Sequence, residues 1–325
     1  MIAEADFVNR NTSENETSIS VLSSQRCYFY DPLNNYELGG FLYIESIVTT
    51  VINFIGAVIA TSGNGIILVT FWKTNQLRSQ SQLFLWCLAF ADFLTGFIAQ
   101  PFYGAFKIAY LAGYVSACCV LRAILETVAW FSAGLSCSLV SSIIGERYLA
   151  LHYHMRYHDV VTTKRTILYI VFLVIVMGIA SQVSRFAMTN MRPFLYLSIC
   201  ALLLSHLTLL TCSWKIYKQV RRHLRQIKDQ SSAESQSLDM QRHKKSVMNM
   251  AYIAFLYIIS FLPFTCVLGA YLSNGFTSTV EAAYDITRTM AFMSSSWNPF
   301  IYFWKIQELK EAVQKVMKKD HATVH

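Results

Sequence analysis

The sequence predicts an all-α membrane protein: a seven-transmembrane helix bundle followed by a short amphipathic C-terminal helix. Of its 325 residues, 54% are hydrophobic and only 14% are charged, whereas soluble domains carry about 25% charged residues. Seven stretches are apolar over the roughly 20 residues that a membrane-crossing helix requires. Lysine and arginine fall mainly in the short connections between them, far more densely on one side than on the other. The net charge of +8 would suggest nucleic acid in a soluble domain. Here the topology of a polytopic membrane protein accounts for it, and no nucleic-acid partner is expected.

The N-terminal tail, residues 1–43, is polar and acidic. Its opening, Met1-Ile2-Ala3-Glu4-Ala5-Asp6, has neither a basic nor an apolar segment, so no cleavable signal is expected and the first span serves as anchor. Asn11-Thr12-Ser13 and Asn15-Glu16-Thr17 are acceptors for glycosylation on the lumenal side. The spans are expected at 44–72, 83–106, 118–144, 167–184, 194–214, 247–272 and 282–304, making the bundle 44–304. With the first span running inward, the inner connections hold Lys73, Arg78, Arg156, Lys164, Arg165 and the basic flanks of 215–245. The outer ones hold few basic residues: Lys107, Arg185 and Arg192, with Arg122 and Arg288 near helix ends. The protein is therefore expected in the plasma membrane with its N-terminus outside and its C-terminus in the cytoplasm.

Within 215–245 the basic flanks continue helical patterning, while the Ser- and Gln-rich middle from Gln230 to Ser237 reads as disordered. In 305–325, Ile306, Leu309, Val313, Val316 and Met317 fall near one face. That spacing predicts a helix lying on the membrane lipid. Of eight cysteines, Cys87, Cys137, Cys200, Cys212 and Cys266 lie in apolar spans and read as free thiols. Cys27, Cys118 and Cys119 fall where an oxidising exterior can pair them.

Strongly polar residues are expensive inside a membrane and tend to be functional. The inner halves of the spans hold Gly63-Asn64, Asp92 at the end of Leu88-Ala89-Phe90-Ala91-Asp92, Glu146-Arg147-Tyr148, Phe261-Leu262-Pro263, and Asn298-Pro299 with Tyr302. In order and spacing these resemble the signature of rhodopsin-like (class A) G-protein-coupled receptors, over roughly residues 45–318. The resemblance implies a receptor that converts binding of an extracellular ligand into activation of a heterotrimeric G protein, by an outward swing of the sixth span. Arrestin is a further partner of such receptors. It implies that Arg147, restrained by Glu146 beside Tyr148, meets the G protein on activation. A guanidinium suits that task because its charge persists and its planar fork donates several hydrogen bonds. Pro263 and Pro299 are expected to bend their helices, with Phe261 as an aromatic toggle and Tyr302 free to move inward. The resemblance also implies a sodium pocket at Asp92, with Ser136, Ser294, Ser295 and Asn298 able to face it, and Asn64 nearby. Oxygen ligands suit such a hard cation, and no other metal or cofactor is expected.

The chain departs from the family pattern in places. Arg122 stands where the third span usually has a cysteine, and the connection between the fourth and fifth spans has none. Cys27 can instead reach Cys118 or Cys119. Phe261 replaces a tryptophan, and the fifth span lacks its usual proline and tyrosine. The stretch Tyr153–Arg165 looks like the second inner loop of melanocortin receptors, and the short fourth connection also fits their adenosine and cannabinoid-type relatives.

Ala129 occupies the position of the aspartate that holds amines in amine receptors. The seventh span has no lysine for retinal. Ligand candidates are therefore Glu126, Ala129, Trp130, Asp285 and Arg288, for a peptide, lipid or other small non-amine molecule. Asp285 and Arg288, three apart, can equally pair with each other. A seven-span transporter or channel would need charge continuing along a transmembrane path, and only Asp92 reads as deep. A receptor-shaped scaffold or decoy is the other alternative. No catalytic constellation is visible, so no enzyme is expected.

Overall fold

The computed structural model describes residues 40–74, 80–153, 157–186, 192–230, 235–275, 277–305 and 311–314. Every regular element among them is helical: α1 (Gly40–Lys73), α2 (Gln80–Leu94), a π turn (Thr95–Ala99), α3 (Gln100–Leu111), α4 (Val115–Tyr153), the short α5 (Tyr157–Val160), α6 (Thr163–Phe186), α7 (Arg192–Gln230), α8 (Ser235–Asn274) and α9 (Ser278–Lys305). The second span is thus one rod made of α2, the π turn and α3. The helices overrun the apolar stretches at both ends, because a helix carries its own hydrogen bonds and need not stop where hydrocarbon gives way to water.

Among the described residues, six helical segments are long and apolar enough to cross a membrane. The seventh, α9, has 28 residues, about 42 Å of helix, but is diluted by Glu281, Asp285, Arg288 and three consecutive serines. It sits between α1 and α8. The bundle closes as a ring in which α1 packs on α2 and α3, these on α4, α4 on α7, α7 on α8, α8 on α9, and α9 back on α1; α6 flanks α4 from outside. The large apolar side chains left outside, such as Ile175, Leu204 and Phe300, form the face a bilayer would cover.

Inside, Leu88, Leu135, Leu139, Ile144, Phe261 and Tyr302 belong to one apolar cluster toward the Arg147 end. Ala99, Tyr103, Phe106, Leu125 and Phe292 belong to another toward the opposite end. The π turn lies between them. Gln100 donates its backbone N–H to Thr95 O, five residues back, and Pro101 follows with no N–H to give. Gly96 in this turn backs onto α1 so closely that a Cβ there would lie 2.7 Å from Ala60 Cβ. A π turn adds a residue to the turn, so the positions beyond it rotate relative to a regular helix.

Three expectations change. Lys107 is not in an outer connection: it lies on α3 with 3% exposure. The region expected to be disordered is helical at Gln230 and again at Ser235–Ser237, as the helical patterning of its flanks runs further than the polar composition suggested; 231–234 lie outside the described residues. Of the C-terminal amphipathic helix, residues 311–314 are described and helical. There Ala312 and Val313 join the core cluster, while Ile306, Leu309, Val316 and Met317 lie outside the described residues. So do Asn11, Asn15, Cys27 and the connection 187–191.

Candidate functional site

Asp92 on α2 is fully buried. Its Oδ1 accepts from Ser295 Oγ at 2.8 Å and Ser136 Oγ at 3.3 Å, and its Oδ2 from Asn298 Nδ2 at 2.7 Å. Two expected neighbours are elsewhere. Ser294 turns its hydroxyl back to Ala291 O at 2.7 Å. Asn64 Nδ2 donates to Ser295 O at 3.0 Å, and that carbonyl is the one that Pro299, lacking an N–H, leaves without its helical partner. Gly63 lets α1 come this close, since a Cβ there would lie 2.7 Å from Pro299 Cγ. Three oxygens, Asp92 Oδ1 and the hydroxyls of Ser136 and Ser295, converge on one side of the carboxylate. A hard monovalent cation fits that donor set.

At the inner end of α4, the Glu146 carboxylate is buried and accepts from the Tyr157 hydroxyl on α5. Arg147 Nε lies 3.6 Å from Glu146 Oε2, with the Arg147 side chain 42% exposed. Tyr148 stacks on His152 with ring centroids 5.6 Å apart, and Lys215 from α7 lies over its ring at 5.3 Å. Higher up, Phe261 is buried and stacks on Tyr257 at 4.4 Å. Pro263 and Pro299 both lie inside continuous helices, and Tyr302 is buried.

The opposite half brings the candidates Glu126, Asp285 and Arg288 together with Glu45, Lys107, Arg122 and Glu281: seven charged side chains, all buried, drawn from four elements. Lys107 of α3 bonds Glu45 of α1 at 3.2 Å and Asp285 of α9 at 2.5 Å. Arg288 Nη2 reaches Asp285 Oδ1 at 2.5 Å, and its Nη1 reaches Glu126 Oε1 at 2.7 Å. Arg122 lies 3.5 Å from Glu126 and 3.9 Å from Glu281. Aromatic faces shield the cations: Phe106 lies 5.0 Å under Arg122, and Tyr103 lies 4.8 Å from Arg288. Asp285 and Arg288 therefore do pair, but as the centre of a network joining α1, α3, α4 and α9. The Tyr284 hydroxyl also donates to Glu126, at 3.2 Å. Beneath lies a cavity of about 40 Å³, whose walls include Ala129, Trp130, Phe261 and Phe264, room for little more than water.

Near this network, Cys119 is disulfide-bonded and Cys118 is a buried free thiol. That resolves which of the two neighbouring cysteines pairs.

A family described as 7 transmembrane receptor (rhodopsin family) matches residues 63–194 and 182–302. The chain belongs to the rhodopsin family of seven-transmembrane receptors. It is 22% identical to the histamine H2 receptor of Rattus norvegicus, over 84% of this chain and 78% of that one. It is 24% identical to adenosine receptor A2a of Canis lupus familiaris, over 81% and 70%. Trace amine-associated receptor 7a of Mus musculus is 22% identical over 98% and 96%. This is a G-protein-coupled receptor, a multi-pass membrane protein and not an enzyme, and its partners by class are an extracellular ligand and a G protein.

Against that family frame, the receptor's missed residues are Glu45, Lys107, Glu281 and Tyr157, together with the role of Arg122. Three were open to a sequence reader as charges close to span ends. Lys107 reads as an outer residue because the apolar stretch ends at Phe106, whereas the helix runs on to Leu111.

Proposed function

We propose that this receptor sits in the plasma membrane with the buried ionic network toward the exterior and Arg147 toward the cytoplasm. A ligand entering above Phe261 and Trp130 would favour the arrangement in which the inner half of α8 swings outward and exposes Arg147 to a G protein. Such a ligand acts only through its different affinity for the two arrangements. The observation that carries this reading is the vertical order of parts: an ionic network, an aromatic floor ending in Phe261, the Asp92 site, then Glu146 holding Arg147.

In this reading the described state is the resting one. Glu146 keeps Arg147 within ion-pair distance while Tyr157 braces the carboxylate. A sodium ion held by Asp92, Ser136 and Ser295 supplies positive charge that offsets the buried carboxylate. The absence of the aspartate amine anchor at Ala129, and the close pairing of Glu45, Asp285 and Glu126 with cations, support a ligand other than a simple amine. Arrestin would meet the same inner face.

Nucleotide exchange on several G-protein subtypes, in membranes bearing the receptor, tests the reading. Exchange above that of receptor-free membranes is the expected result. Silence with every subtype and across a broad ligand library would favour the scaffold reading, to which Phe261 and the very small cavity lend some weight.

A further inference from the structure

The ionic network has two deficits, and they sit side by side at its outermost point. Arg122, 1% exposed, has Nε and Nη1 buried without a hydrogen-bond acceptor among the described residues. Its carboxylate neighbours at 3.5 and 3.9 Å are too far for a good hydrogen bond. Glu281, in the first turn of α9, has Arg122 as its sole ion-pair partner among the described residues, at that longer distance. By contrast Glu45, Asp285 and Glu126 each have a cation within 3.2 Å. The four carboxylates outnumber Lys107, Arg122 and Arg288 by one.

We propose that the Arg122–Glu281 pair is the subsite for a zwitterion of the α-amino-acid type. The carboxylate of the ligand takes the Nε–Nη1 edge of Arg122, and its ammonium replaces Arg122 as the counter-ion of Glu281. The inference rests on the receptor reading above and deepens it by naming the chemistry of the ligand. A molecule with one charge only does not suit the place. An anion alone adds to a surplus of negative charge, and a cation alone leaves the guanidinium edge without an acceptor. An uncompensated buried charge costs several kcal/mol, so the two opposite charges must arrive together.

The neighbouring walls suggest the rest of the ligand. Tyr271, Leu268, Phe264 and Leu195 form an apolar cluster with Trp130 and Tyr284, and the Tyr284 hydroxyl reaches Glu126. An apolar or aromatic side chain is thus matched to the space that opens when the pair separates.

The test uses purified full-length receptor and three matched probes: L-phenylalanine, phenethylamine and 3-phenylpropanoate. Binding is read by thermal shift and by isothermal titration, without a G protein. L-phenylalanine is expected to stabilise the receptor, and the two singly charged analogues to do so at least about tenfold more weakly. Arg122→Gln and Glu281→Gln should each weaken L-phenylalanine about ten- to hundredfold. If a variant is too unstable to purify, the three-probe ranking on the natural receptor still decides. Equal binding of either analogue, or no binding of L-phenylalanine, overturns the proposal. A receptor that drives nucleotide exchange without binding L-phenylalanine would refute this subsite and leave the receptor reading standing.

Discussion

Arg147 is half in water and half in an ion pair, and that division is what a switch residue requires. Its Nε is buried, while the side chain as a whole is 42% exposed. Removing the guanidinium by Arg147→Ala is expected to abolish nucleotide exchange, while surface labelling stays near the unmodified level because the Tyr157 hydroxyl still donates to the Glu146 carboxylate. Lys107 is the opposite kind of residue. It holds two buried carboxylates at once, so Lys107→Met leaves Glu45 without its cation and Asp285 with Arg288 alone. A loss of about 3–5 kcal/mol is expected, read as a lower thermal unfolding midpoint of purified receptor. Adding Asp285→Asn should recover part of that loss, because residues in one network do not act independently. At this scale the sequence was most legible where a motif fixed both residue and depth. The structure brings Asn298 to Asp92 and Arg147 to Glu146. Ser294 and Ser295, adjacent and chemically identical, could not be told apart without helix phase, and one alone reaches Asp92.

Helices were legible as apolar stretches, but their rotations were not. The second span read as one regular helix, and the π turn before Pro101 sent Tyr103 and Lys107 toward the interior. A local change in winding leaves no hydropathy signal, and neither does a helix that runs past its apolar stretch as α3 does beyond Phe106. The pairing of α1 with α9 shows the same limit from the other side. Gly63-Asn64 was recognisable, yet its physical role appears only with the partner in place: the glycine admits the Pro299 ring and the asparagine caps the Ser295 carbonyl. Gly63→Ala should force the two helices apart against a rigid ring. About 1–3 kcal/mol of destabilisation is expected, measurable in detergent unfolding. Asn64→Leu should cost about 1–3 kcal/mol by stranding that carbonyl. In α8, Pro263→Ala restores a backbone N–H. It is expected to lower ligand-evoked nucleotide exchange several-fold without lowering the unfolding midpoint.

Among the described residues the bundle is apolar on its rim and polar along its axis, with seven buried charges toward one end, Asp92 between, and Glu146 toward the other. Its class and crossing number followed from composition and periodicity, since a bilayer imposes both. The interior order did not follow, because which charge meets which depends on four elements converging from distant parts of the chain. That convergence bears on how the protein is made. Among the described residues, six helical segments are long and apolar enough to cross a membrane, but α9 brings an arginine and two acids with it. Its entry is therefore a collective event, in which a lysine and a glutamate already embedded on earlier helices receive the newcomer's ions. Fused alone to a reporter, residues 278–305 should insert poorly; preceded by the first six helices they should insert well, and Lys107→Met should undo part of that gain. Biogenesis and ligand sensing would then draw on the same handful of charges, so a substitution that blunts one can be mistaken for a defect in the other.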